Sequence, residues 1–276
     1  MKKVDAAPGA ARLFLSAVMA LALVSPLCAR AAREKESAQV LVVGATVNPH
    51  AIMLNLIKSD LAAQGIELRI REFADYVVPN TALIAGDLDA NFFQHIPYLE
   101  SNEEWSAALT NAFGVHVEPF GLYSRKITHI SELKEGSTIA IPNDPSNGGR
   151  ALLLLQANGI ITLKAGAGIT ATPLDIDSNP KNLRFRELEA AQLPRSLDDV
   201  DAAAINGNYA LEAGFNPRQD SLIIEGAESP YVNIVVVRKG FEKDPRILAL
   251  EAALRSQKIK DYINANYSDG SVVAIF

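Results

Sequence analysis

What most constrains the fold is the order in which two hydrophobic periods alternate along the chain. Val40–Gly44 is a short apolar run ending in glycine and is expected to be a strand. From Pro49 to Gln64, Ile52, Leu54, Leu56, Ile57 and Leu61 recur at helical spacing, and Gly65 stops the run. Ile66–Glu72 then sets Ile66, Leu68 and Ile70 against Glu67, Arg69 and Arg71, which is strand alternation. Thr81–Gly86 reads as a short helix, Leu88–Phe92 as a strand, and His95–Phe113 as mostly helix. Strand, helix, strand, helix, strand implies a parallel sheet covered by helices.

A second round follows. Ile130–Gly136 reads as a helical turn, Ser137–Pro142 as a buried strand, and Ala151–Leu155 as the body of a helix opened at Asp144–Asn147 and closed near Gly159. Val200–Ile205 is a further strand, Tyr209–Gly214 a short helix, Tyr231–Arg238 a long strand, and Pro245–Ser256 and Ile259–Tyr267 two closing helices. Two α/β units in succession suggest two lobes, with chain crossings at Pro119–Lys126 and Pro230–Arg238. The division expected is 39–122 and 233–276 for the first lobe and 123–232 for the second. Open α/β sheets bind ligands beyond the carboxyl ends of their strands.

The start of the chain is a separate matter. Lys2, Lys3 and Arg12 precede the apolar run Leu13–Leu23, which is short for a membrane span and has the charge flank of a secretory signal. Cys28, the single cysteine, follows it directly and resembles the acylated cysteine of a bacterial lipoprotein box, although Leu27 stands where such boxes carry a small residue. Residues 1–28 are therefore expected to be a lipoprotein signal peptide and 29–38 a polar tether. The whole chain has a formal net charge of −6; residues 1–28 hold three basic residues and one acidic one, so the remainder carries −8. An acidic body without a basic run argues against nucleic acid and against electrostatic attachment to anionic lipid.

The segment Phe73–Leu99 concentrates Tyr76, Asn80, Asn91, Phe92, Phe93, Gln94, His95 and Tyr98 without a lysine or arginine. Aromatic faces beside amides suit a small ligand that is part apolar and part polar. Successive strand residues face opposite ways, so Phe93, on the face of His95, is chosen over Phe92. Arg150 is expected in the first turn of the helix that Ser146 or Asn147 caps, where a cation is disfavoured. With Gly148 and Gly149 leaving N–H groups bare, it reads as the anchor for a carboxylate. Asn206 ends a strand and Asn233 sits in the second crossing, and an asparagine can accept from an ammonium or donate to a carboxylate.

Catalytic and metal readings find little support. His50, His95, His116 and His129 form no pair at zinc-ligand spacing, and neither a G-x-S-x-G nor a phosphate loop occurs. Gly166-x-Gly168-x-x-Ala171 matches a dinucleotide fingerprint only nominally, because Thr170, Thr172 and Pro173 stand where a helix should open. No enzyme activity, cofactor or metal is expected.

Four separated motifs resemble the MetQ/NlpA family of substrate-binding lipoproteins: the run 73–99, I-P-N-D-P-S-N-G-G-R-A-L at 141–152, A-A-I-N-G-N-Y-A at 203–210 and S-P-Y-V-N at 229–233. The resemblance runs from Val40 to the C-terminus. It implies an α/β, two-lobed periplasmic-binding-protein fold (type II) with two hinge crossings and a ligand cleft between lobes. It further implies a monomer, held by lipid on Cys28 at the periplasmic side of the cell membrane, that delivers L-methionine to the permease and ATPase of an ABC importer. By position, Arg150 would clamp the ligand carboxylate, Asn206 and Asn233 would hold the amino and carboxylate groups, and Tyr76, Phe93 and His95 would enclose the thioether; Asn147 joins this set. A methionine-containing dipeptide, another apolar amino acid, or an adhesin role for the exterior are the alternatives.

Overall fold

The computed structural model describes residues 39–226 and 229–276. The signal, the tether and Cys28 lie outside the described residues. Among those described, no helix is long and apolar enough to cross a membrane.

In chain order the elements are β1 (Gln39–Ala45), α1 (Ile52–Leu56), α2 (Lys58–Ala62), β2 (Ile66–Glu72), α3 (Val78–Ala85), β3 (Ala90–His95), α4 (Ile96–Glu100), α5 (Glu103–Ala108), β4 (Leu109–Val117) and β5 (Gly121–Tyr123). There follow β6 (Thr138–Pro142), α6 (Pro145–Ala157), β7 (Thr162–Leu163), β8 (Ile176–Ser178), β9 (Arg184–Leu188), α7 (Leu193–Ser196), β10 (Ala202–Ile205), α8 (Gly207–Glu212), α9 (Pro217–Asp220) and β11 (Ile223–Ile224). Last come β12 (Val232–Arg238), α10 (Pro245–Leu254), α11 (Gln257–Asn266) and β13 (Val273–Ala274).

They form two main sheets, one per lobe. The first has the order β13-β4-β12-β3-β1-β2, with β2, β1 and β3 parallel and β12 antiparallel to both β3 and β4. The second has the order β11-β5-β10-β6-β9, parallel through β10, β6 and β9. A small ribbon pairs β7 with β8. Both main sheets are covered on both faces. In the first, Phe92, Val235 and Val237 meet α10 and α11, while Phe93, Ile234 and Val236 meet the side of Leu83, Tyr98 and Trp105. In the second, Ala202 and Ala204 pack under α6, and Ala203 and Ile205 pack toward α7 and α8. Two-sided burial explains why these strands read as unbroken apolar runs.

Four expectations need correction. The helix expected over Pro49–Gln64 is interrupted at Ile57, which breaks the ladder between α1 and α2, while Asn48 just before it is extended, as a residue before proline prefers. The helix expected over His95–Phe113 gives way to β4, whose Leu109, Phe113, Val115 and Val117 are buried. Within it, Asn102 opens α5 by accepting the N–H of Trp105 at 3.1 Å. The third strand is Ala90–His95 rather than Leu88–Phe92. Finally, the crossings are narrower than 119–126 and 230–238, because Gly121–Tyr123 already pairs in the second sheet and Val232–Arg238 in the first.

Candidate functional site

Side chains from both lobes converge on one small, partly open cavity. Tyr76, Phe93, His95, Asn147, Arg150, Asn206 and Asn233 all line it. So do Gln94 and Tyr98, which the sequence reading named in that segment without giving them a role, and Glu118, Gly207 and Asn208, to which it gave none.

A backbone irregularity brings three consecutive residues of β3 to one cavity. Gln94 pairs with Ile234 and Phe92 with Val235, so Phe93 is the extra residue of a bulge. A bulge suspends strict alternation and re-aims side chains. Choosing Phe93 by alternation therefore reached a cavity-lining residue by a rule that fails at that point. Gln94 is tied into a closed amide network: its Nε2 donates to Asn80 Oδ1 at 2.6 Å and to Asn91 Oδ1 at 2.9 Å, and Asn80 Nδ2 returns a bond to its Oε1 at 3.0 Å. Buried networks satisfied in this way rigidify a wall.

The amide orientations follow from their partners. The Tyr98 N–H donates to His95 Nδ1 at 3.1 Å, so the His95 hydrogen sits on Nε2 and points to Asn147 Oδ1 at 3.2 Å. That same oxygen accepts from Asn206 Nδ2 at 2.9 Å. Asn147 thus joins the two lobes, and Asn206 Oδ1 is left buried without a partner. Tyr76 donates to Asn208 Oδ1 at 2.5 Å, which leaves Asn208 Nδ2 buried and unpartnered. On the other wall, the Thr46 hydroxyl donates to His50 Nδ1 at 2.8 Å, and His50 Nε2 donates to Asn233 Oδ1 at 3.1 Å. Asn233 is left with its NH₂ group to offer the cavity.

Asp144, not Ser146 or Asn147, caps α6. Its Oδ1 accepts the Asn147 N–H at 2.8 Å and its carbonyl accepts the Gly148 N–H at 2.8 Å. The bare N–H groups expected beside Arg150 are therefore taken, and Arg150 lies in the second turn. The glycines serve packing instead: a Cβ on Gly149 would stand 2.2 Å from the Ile169 carbonyl oxygen. Arg150 Nη2 donates to the Glu118 carbonyl at 3.1 Å, and its guanidinium lies 4.0 Å from the Tyr231 ring centroid.

Behind the cavity, His116 Nε2 donates to Glu118 Oε1 at 2.7 Å, and His50 Nε2 lies 3.4 Å from the same atom. The backbone N–H of Asn208 also supports this carboxylate, and only a glycine at 207 fits against it, since a Cβ there would come within 2.7 Å of Glu118 Cβ. Burial lowers the pKa of His50 to about 4, and those of His95 and His116 to about 3, and raises that of Glu118. His50, His116 and Glu118 place one ligand atom each within 4.8 Å of one another, yet the nitrogens facing Glu118 are engaged in the hydrogen bonds just given. A relay of neutral histidines accounts for the cluster.

The apolar wall is aromatic. The Tyr76 ring lies 5.7 Å from Phe93, 5.7 Å from Tyr98 and 4.9 Å from Tyr209, and Tyr98 continues inward to Trp105 at 5.2 Å. A cavity with unpaired donors at one side, an unpaired acceptor beside them and ring faces opposite is built to bind rather than to react.

Comparison with known proteins agrees with this. Residues 41–276 match the model of the family described as NlpA lipoprotein. The chain is 44% identical over 211 residues to the D-methionine-binding lipoprotein MetQ of Escherichia coli (strain K12), covering 75% of this chain and 78% of that one. A nutrient binding protein from Burkholderia cenocepacia, solved bound to methionine, superimposes with a TM-score of 0.82 at 44% identity, covering 86% of this chain and 100% of that chain. A periplasmic substrate-binding protein of an ABC transporter from Coxiella burnetii gives a TM-score of 0.80 at 44% identity, covering 85% and 99%. The chain belongs to the NlpA lipoprotein family, a family of solute-binding proteins of ABC transporters rather than of enzymes.

Proposed function

We propose that the cavity captures methionine as a zwitterion and that the protein delivers it to an ABC importer. The observation that carries the reading is the pair of buried, unpartnered groups in one cavity: Asn206 Oδ1, which can only accept, and Asn208 Nδ2, which can only donate. Buried polar atoms left unpaired are costly, and a ligand that supplies both complements removes the cost. An α-amino acid does so, presenting an ammonium and a carboxylate on adjacent bonds.

In this reading the carboxylate meets Arg150, the NH₂ of Asn233 and Asn208 Nδ2. The ammonium meets Asn206 Oδ1, with the Glu118 carboxylate as counter-charge. The thioether lies along Tyr76, Phe93 and His95, where sulfur–aromatic contacts are favourable. Names of relatives include both a D-methionine-binding lipoprotein and a protein bound to methionine, which supports methionine as the ligand of this chain and leaves its hand to measurement. Cys28, acylated after signal cleavage, would hold the protein at the periplasmic side of the membrane beside the permease. Cys28→Ser should then release it to the soluble fraction with ligand affinity unchanged.

Calorimetric titration with L-methionine, D-methionine, norleucine and alanine tests the assignment. Tightest binding by one methionine enantiomer, with norleucine next and alanine far behind, is expected. Equal binding of alanine and methionine would remove the thioether wall from the account.

A further inference from the structure

Arg150 is clamped by a residue that does not touch the cavity. Its Nε donates to Glu225 Oε1 at 2.7 Å and its Nη2 to Glu225 Oε2 at 2.5 Å, a two-point pairing along one edge of the guanidinium. The arginine side chain is 4% exposed and the glutamate 15%. Arg150 lines the cavity and Glu225 does not, so the carboxylate approaches from the far side. Among the described residues Nη1 makes no hydrogen bond, which leaves the opposite edge for a ligand.

Glu225 is itself fixed by the first crossing. Its Oε2 accepts the Phe120 N–H at 3.1 Å, and its own N–H donates to the Phe120 carbonyl at 2.9 Å. The Phe120 ring lies 5.0 Å from the guanidinium and the Tyr231 ring of the second crossing 4.0 Å from it. An intramolecular carboxylate on the cavity side would compete with a ligand carboxylate. One on the far side instead orients the arginine and cancels its charge.

Resting on the functional reading above, we propose that Glu225 is a positioning residue that presents the Nη1 edge of Arg150 to the ligand and neutralises the pair, so that the cavity selects a zwitterion over an anion. An anion lacking the ammonium would meet a neutral Arg150–Glu225 pair and the Glu118 carboxylate, with nothing to offset the latter. Removing the Glu225 charge should make the site more tolerant of such an anion.

The test uses the full chain and Glu225→Gln, titrated with methionine and with 4-(methylthio)butanoate, which is methionine without its amino group. Loss of the two charge-assisted bonds should weaken methionine binding by about ten- to a hundredfold. Its advantage over the desamino anion should narrow, which a merely structural loss would not produce because that weakens both ligands alike. An equal loss for both, or methionine binding at least as tight as in the parent, overturns the proposal. A measurement without ligand separates it from the functional reading. In the unliganded parent, the Arg150 Nε–H nuclear-resonance signal, assigned by its loss in Arg150→Lys, should be protected from exchange with water, and in Glu225→Gln it should not. Exchange in the parent as fast as at Arg125, whose side chain is 48% exposed, sinks the clamp whatever the ligand is. A protected Nε–H in a protein that binds no methionine instead sinks the functional reading alone.

Discussion

The two ends of the cavity are organised differently. At the polar end, Arg150, Asn206 and Asn233 are each turned by a neighbour, namely Glu225, Asn147 and His50. At the apolar end, Tyr76, Phe93 and Tyr98, with Tyr209 behind them, meet in tilted and edge-on ring contacts, and only the tyrosine hydroxyls make directional bonds. Directional groups set where the main-chain atoms of a ligand can sit. Ring faces set how much apolar area is covered, with little demand on its shape. Damage at the first end should therefore harm every amino acid, and damage at the second should reorder preferences among them.

The largest expected effect that can break this contrast is Arg150→Ala. It leaves a buried carboxylate unpaired and should cost about 3–5 kcal/mol for methionine, norleucine and alanine alike. Calorimetry showing near-parent methionine binding would move the carboxylate elsewhere. Next comes Asn206→Ala, which removes an acceptor for the ammonium and should cost about 1.5–3 kcal/mol for amino acids. The desamino anion, having no ammonium, should bind this mutant as it binds the parent; a matching loss would argue that Asn206 acts on the carboxylate. Phe93→Ala should weaken methionine and norleucine by about 1–3 kcal/mol through lost burial while leaving alanine almost unaffected. A uniform loss across the three would erase the distinction between the ends.

The last effect acts on stability rather than on binding, and concerns pH. His50, His95 and His116 are held neutral by burial, with folded values of about 4, 3 and 3 against an ordinary 6.5. The unfolded chain binds protons first as pH falls, so stability is full above pH 6.5 and declines toward pH 4. Each of the three histidines adds to that decline. Glu118, whose carboxyl is raised by burial, acts in the opposite sense and softens the slope. Urea unfolding of the unliganded protein at pH 7, 6, 5 and 4 measures it. A flat profile would mean that these rings are charged or exposed in the unliganded state. His50→Gln should lessen the slope, whereas Phe93→Ala should not.

Legibility from sequence divided along the same line. Strand and helix order could be read wherever a period ran uninterrupted, as in β1, β2 and α10. It failed over His95–Phe113, where two short helices and the start of a strand follow one another within nineteen residues of mixed polarity and only the cap at Asn102 marks a boundary. The polar lining was legible as residue types, with Asn206 closing a strand, although Arg150 stands in the second turn of α6 and Asn233 inside β12. Their orienting partners were not. His50 and Asn233 are 183 positions apart and Arg150 and Glu225 are 75, and no local pattern encodes such pairings. Glu118 and Asn208 were missed for the same reason, and Gln94, though named in the segment, was given no role because a bulge cannot be seen in a run of buried residues. The S-P-Y-V-N and A-A-I-N-G-N-Y-A motifs contained the signal for Tyr231 and Asn208, but only the fold shows what they face.

One consequence follows from the aromatic wall. The chain has a single tryptophan, Trp105, and its ring stands one tyrosine away from the cavity through Tyr98. Excitation absorbed by Tyr76, Tyr98 or Tyr209 has that indole as a nearby acceptor. The protein thus carries its own optical reporter: tryptophan emission on excitation of the tyrosines registers the arrangement of rings around the ligand, without a label and without altering the site.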